Sequence, residues 1–249
     1  MRAAARHFEP LPGRLVVKDY SVLMPRSADD ILIHLAESRG FPTGGGPTEV
    51  ERKQRAALFA RGWAKILYAS SATVYGDRDA RPRKASDAVA PQTAYARWKL
   101  EGEGEAKERG GIVVRLSNMY GPGMAPNNVI SDILGQLKDT SPIHVRDASP
   151  VRDYVHVDDA AKAMARMTTS GMAGSTYNVG TGLGTSVGEV ARVILEMVGQ
   201  AGRDVRAERN AAGRLSHLVL DIDATTRALG WQPDISLRAG LQRLVEAVR

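Results

Sequence analysis

The chain has 249 residues, 43% of them hydrophobic, enough for one large domain or two small lobes around real cores. The net charge is +6, yet the arginines are scattered and aromatics make up only 5%. No basic stripe or stacking platform emerges, and no nucleic-acid partner is expected. Zero cysteines exclude disulfides, thiolate metal sites and Cys nucleophiles and suit a reducing compartment. No apolar run approaches the ~18 residues of a spanning helix, and no signal-type apolar segment follows the first basic residues. A cytoplasmic protein without membrane attachment is the expectation.

The opening MRAAARHFEP runs from alanines into Arg6-His7 and reads like the inner part of a strand. DILIHLA at 30–36, AKILYAS at 64–70 and GIVVRLS at 111–117 are too short for helices and rich in Ile, Val and Leu. Such runs suit strands buried on both faces of a parallel sheet. TGGGP at 43–47 lacks the G-K-[ST] of a phosphate cradle and reads as a loop. EVERKQRAALFARG at 49–62 and AYARWKLEGEGEAKERG at 94–110 are charged on one side and end at Gly, as helices do. The alternation predicts an α/β fold with a doubly wound parallel sheet.

The second of these helices carries the most informative chemistry. Tyr95 and Lys99 are four apart and share a face. An ammonium beside a phenol favours the phenolate. A hydroxyl at the end of the preceding strand, Ser71, could hold a carbonyl or alcohol against that Tyr. The trio suits moving a proton on or off a carbinol oxygen while hydride leaves or joins the carbon. Standing alone, Y-x-x-x-K is more often an exposed helix face. Trp98, between the two, reads as a packing residue at the helix or at a dimer face.

Beyond residue 118 the pattern loosens. YGPGMAPNN is rich in Pro and Gly, and a helix-like stretch at 129–138 follows. His156 and Asp158 of VHVDD read as structural, and the five dispersed histidines predict no metal site. YNVGTGLGTSV offers Gly180, Gly182 and Gly184 as a loose dinucleotide fingerprint, but the third glycine should fall at Thr185. GTSVGEVARVILEMVG is a helix with a Ser186/Glu189 capping box and a stop at Gly199. The tail reads as two helices separated by a Trp-Gln-Pro turn. These parts predict a smaller lobe packed against the sheet.

SSATVYGD, then Y-A-x-x-K-L-E-x-E, V-V-R-L-S-N-x-Y-G-P-G, S-P-V-R-D-Y-V-H-V-D-D-A-A, Y-N-V-G-T-G and L-G-W-Q-P stand in the order and spacing of the extended short-chain dehydrogenase/reductases. The resemblance spans roughly residues 2–245 and is nearest to the nucleotide-sugar branch, with UDP-galactose 4-epimerase as its familiar member. It implies a Rossmann-like domain over 1–117 with parts of 150–180, and a mainly substrate-binding lobe over 118–249. Ser71, Tyr95 and Lys99 match the catalytic residues, Asn118 a sugar-nucleotide contact and Arg152 a diphosphate-gripping arginine. A second such arginine is expected before VLD, with Arg214 and Arg209 as alternatives. YNVGTG is assigned to the substrate lobe, and a homodimer is implied. Relatives that are 4,6-dehydratases carry an acid and a base after the hydroxyl residue. Ala72 and Thr73 stand there, which disfavours dehydration and leaves epimerisation or keto-sugar reduction.

By the same resemblance MRAAARH matches a second strand, so the glycine-rich first strand–loop–helix is expected to be absent. Asp19 and Tyr20 of VVKDYS would lie near the adenine, and Leu35 and Ala36 near the ribose and pyrophosphate. Arg6, where NAD-preferring relatives carry an acid, favours NADP over NAD. A mis-set start, a truncated paralogue and a non-catalytic nucleotide or nucleotide-sugar binding protein on the same scaffold are the three readings of that beginning.

Overall fold

A computed structural model describes residues 24–25, 27–35, 46–126, 128–208 and 215–248. Strand β1 (Ile31–His34) leads to helix α1 (Glu49–Phe59), which starts in a capping box between Thr48 and Glu51. Strand β2 (Lys65–Ser71) follows, then a short 3-10 turn over Ala72–Tyr75, helix α2 (Ala94–Lys107) and strand β3 (Ile112–Leu116). These three strands pair in parallel in the order β1-β2-β3, and β7 (Thr176–Val179) completes the sheet beside β3.

The sheet is buried on both faces, which is why its strands are continuous apolar runs. On one side Leu32, Ile66 and Tyr68 pack with Leu58, Phe59 and Ala106 from α1 and α2. On the other, Leu67, Ala69, Ile112 and Val114 meet Ala160, Met164 and Met167 of helix α4 (Val157–Ser170), with Leu229 and Trp231 beyond them. Both helices expected from their glycine stops end slightly earlier, at Phe59 and Lys107; Gly62 and Gly110 take up the left-handed turns just after.

One assignment is corrected. TYNV was expected in the substrate lobe, but it is the fourth strand of the main sheet, in register with Val113–Leu116. A strand of four residues with no partner visible in sequence carries too little pattern to be placed locally.

A second core gathers around strands β4 (Asn118–Tyr120), β5 (Ile143–Val145) and β6 (Val151–His156) and helices α3 (Val129–Gly135), α5 (Val187–Met197) and α7 (Leu237–Val248). Ile130, Ile133, Tyr154, Val190, Ile194 and Leu241 are among its buried members. Strand β8 (Gly184–Ser186) runs antiparallel to β6, β9 (Val205–Ala207) pairs with β5, and β10 (His217–Leu218) pairs with β6. Helix α6 (Asp223–Leu229) precedes the Trp231 turn. The Ser186/Glu189 capping box is present at the start of α5.

Candidate active site

The carboxyl ends of β1, β2 and β3 lie side by side, and the candidate residues Leu35, Ser71 and Asn118 stand at or just beyond them. This is the edge at which open parallel sheets take ligands. Ser71 is the last residue of β2 and opens the 3-10 turn as its cap. Its Oγ accepts from the Thr73 amide at 3.3 Å and from the Thr73 hydroxyl at 3.0 Å. With both acceptor positions occupied, the Ser71 proton is left to donate outward. Thr73, which sequence reasoning considered only as a missing base, therefore orients the hydroxyl beside it.

Helix α2 begins at the Thr93 cap, whose side chain accepts from the Ala96 amide at 3.1 Å. Tyr95 sits in its first turn and is 37% exposed, while Lys99, one turn on, is only 4% exposed. The Lys99 ammonium donates to the Ala69 carbonyl at 2.7 Å and lies 5.2 Å from the Tyr68 ring centre and 5.7 Å from that of Tyr95. The helix thus hands its cation to the strand two residues before Ser71. A further turn on, Glu103 accepts from the Ser70 hydroxyl at 2.5 Å and pairs with Arg115.

This helix–strand seam is close. A Cβ on Gly102 would overlap the Tyr68 hydroxyl, so only glycine lets α2 approach β2 at this point. Beneath it a buried polar chain continues. The Arg115 guanidinium lies 4.7 Å from the Tyr75 ring centre, and the Tyr75 hydroxyl donates to Asn178 Oδ1 at 2.7 Å. Burial holds the Tyr75 phenol above its ordinary value, so it is a neutral donor here. Asn178 donates in turn to the carbonyls of Arg83 and Asp221 at 2.7 and 3.0 Å.

Sequence reasoning missed Glu103, Arg115 and Asn178. Glu103 was findable as the next member of the Tyr95, Lys99 face, and a charge inside IVVRL signals a partner.

Three of the other candidates lie among the described residues. Leu35 follows β1 and is half-buried against the main core. Asn118 opens β4 and is exposed, opposite Tyr154 in the ladder with β6. Arg152 on β6 has its guanidinium held by Asp77 and Ser216. Arg6, Asp19, Tyr20, Ala36, Arg209 and Arg214 lie outside the described residues.

His156 proves to be the cap of α4, its Nδ1 accepting from the Asp158 amide at 3.2 Å, with burial lowering its basicity. Trp98 packs within the chain under the Arg55 guanidinium, 3.4 Å from its ring centre, as the packing reading expected.

Residues 52–180 match the model of the NAD dependent epimerase/dehydratase family. A putative UDP-glucose 4-epimerase of Methanocaldococcus jannaschii is 32% identical over 73% of this chain and 62% of its own length. The UDP-glucose 4-epimerase of Mycolicibacterium smegmatis is 29% identical over 97% of this chain and 83% of that protein. The chain thus spans about three-fifths of the length of the first of these relatives. Reductases and 4,6-dehydratases of dTDP-sugars also match. Among solved structures, RMD from Pseudomonas aeruginosa complexed with NADPH superposes with a TM-score of 0.78 at 25% identity, covering 96% of this chain and 88% of that one.

Proposed function

The chain belongs to the NAD dependent epimerase/dehydratase family, and from that footing we propose that it is an NAD(P)-dependent nucleotide-sugar epimerase or keto-sugar reductase. The observation that carries this reading is the seam between α2 and β2. Ser71 is presented as a donor by Thr73, and Lys99 is anchored on Ala69 one turn from the exposed Tyr95.

In this reading Tyr95 gives or takes the proton at the sugar oxygen and Ser71 donates to that same oxygen. Lys99 supplies a buried positive charge that favours the phenolate and steadies a ribose hydroxyl. The donor set fits a nicotinamide cofactor, because a cation, a phenol and the half-buried Leu35 flank the carboxyl edge of a parallel sheet. When bound, the nicotinamide takes or supplies the hydride at the reacting carbon. Relatives bind NAD or NADPH. Arg6 is the basis for favouring NADP.

Dehydration is disfavoured. Ala72 has no acid, and the Thr73 hydroxyl is engaged with Ser71. The substrate in this reading is a nucleoside diphosphate sugar held by Asn118 and Arg152, with Arg214 as a further contact, and the protein is a cytoplasmic homodimer. No helix among the described residues is long and apolar enough to cross a membrane.

Replacing Tyr95 by Phe tests the assignment. Turnover of the epimer or keto-sugar should vanish while calorimetric binding of the nucleotide-sugar persists. Retained turnover would overturn the role of Tyr95. Absence of heat with both NAD(H) and NADP(H) would favour a binding protein without catalysis.

A further inference from the structure

Arg152 is half-buried on β6 and has five N–H donors to place. Nη1 donates to the carbonyls of Val151 and Ser216 at 2.8 and 3.0 Å. Nη2 donates to Asp77 Oδ2 at 3.3 Å and to Ser216 Oγ at 2.8 Å. All four Nη protons are therefore engaged, and only Nε–H has no partner among the described residues. The Ser216 hydroxyl itself donates to Asp77 Oδ2 at 2.5 Å, so carboxylate, hydroxyl and guanidinium close a small ring.

An arginine grips a phosphate edge-on, with two parallel N–H donors. The open Nε can form such an edge only with Nη2. Nη2 must then give up a present partner, and its contact to Asp77, at 3.3 Å against 2.8 Å to Ser216 Oγ, is the longer one and the charged rival of a phosphate. Asp77 has a second cation to turn to, since Arg78 Nε lies 3.6 Å from its Oδ1.

We propose that Asp77 is a displaceable carboxylate that occupies the Arg152 guanidinium in the free protein and exchanges with the diphosphate of an incoming nucleotide. Asp77 thereby sets the affinity of the site for diphosphates. It stands six residues after Ser71, just past the Gly76 cap of the 3-10 turn. The inference rests on Arg152 being the diphosphate ligand.

Isothermal calorimetry with UDP, dTDP and GDP on the full chain tests it. Asp77→Asn keeps the side-chain shape and the Ser216 partner but removes the competing charge. It should bind whichever diphosphate the wild type prefers about fivefold more tightly at low salt. The gain should shrink in high salt, to the extent that these half-buried charges are reached by solvent ions. Adding Arg152→Ala to the Asp77→Asn variant should abolish the gain. If thermal melting shows that variant unfolded, Asp77→Ala takes its place with the same expectation.

Equal or weaker binding by a folded Asp77 variant overturns the exchange and leaves Arg152 as the diphosphate ligand. A gain that survives Arg152→Ala overturns it as well. Failure of wild type and variant alike to bind any of the three overturns both the exchange and the diphosphate reading.

Discussion

Glu103 on α2 and Arg115 on β3 form a two-pronged ion pair in the interior, with Nε to Oε1 at 2.9 Å and Nη2 to Oε2 at 2.7 Å. Their side chains are 3% and 6% exposed. Ser70, next to Ser71, donates to the same carboxylate. The pair therefore ties the helix of Tyr95 and Lys99 to both central strands at once.

Breaking one half should be severe. Glu103→Gln leaves the Arg115 charge buried without its counter-charge and should destabilise the fold by about 3–5 kcal/mol. Replacing both, as Glu103→Met with Arg115→Met, should recover most of that loss in denaturant melts, because a desolvated pair is no better than well-packed apolar side chains. A double variant as unstable as the single one would contradict this account.

Two glycines of α2, separated by one residue, should respond with opposite signs. Gly104 faces open space, so Gly104→Ala should stabilise by about 0.5–1 kcal/mol through helix propensity. At Gly102 the same methyl meets the Tyr68 ring, so Gly102→Ala should destabilise by about 1–3 kcal/mol despite the same propensity gain. Thermal melts of the two single variants read the difference directly.

His34 supplies a pH dependence. It is 4% exposed, stacked on Tyr68 at 5.6 Å and edge-on to Phe59 at 5.3 Å. Burial, reinforced by the positive charges of Lys99 and Arg55, lowers its pKa from 6.5 to about 3. Unfolding below the ordinary value therefore takes up a proton. The stabilisation is complete above about pH 6.5 and is lost as pH falls toward about 3, at about 1.4 kcal/mol per pH unit. His34→Phe keeps a ring in place and should flatten the fall of unfolding free energy between about pH 6 and 4. An unchanged slope in that variant would remove His34 from the acid limb.

The main sheet was legible because strands buried on both faces leave unbroken apolar runs: DILIHLA and GIVVRLS each contain one strand of the main sheet, and AKILYAS all but the last residue of another. The capping box at Ser186 was legible because both of its residues are local. TYNV was misplaced because its pairing with β3 joins residues about sixty positions apart, and nothing within four residues encodes that. Glu103 and Arg115 each carry a local clue, but their meeting depends on the helix crossing the strand at Gly102.

The sequence by itself determined the alternation of strands and helices, the shared face of Tyr95 and Lys99, and Ser71 at a strand end, since each follows from a periodicity or a cap within one segment. Only the tertiary structure decided what those side chains face. It seated the Lys99 ammonium on the Ala69 carbonyl, set the Thr73 hydroxyl against Ser71 and closed Asp77 and Ser216 around Arg152. The physical reason is that a donor's partner is fixed by how elements pack, and packing is settled by burial and close approach across the whole chain rather than within any one stretch of it.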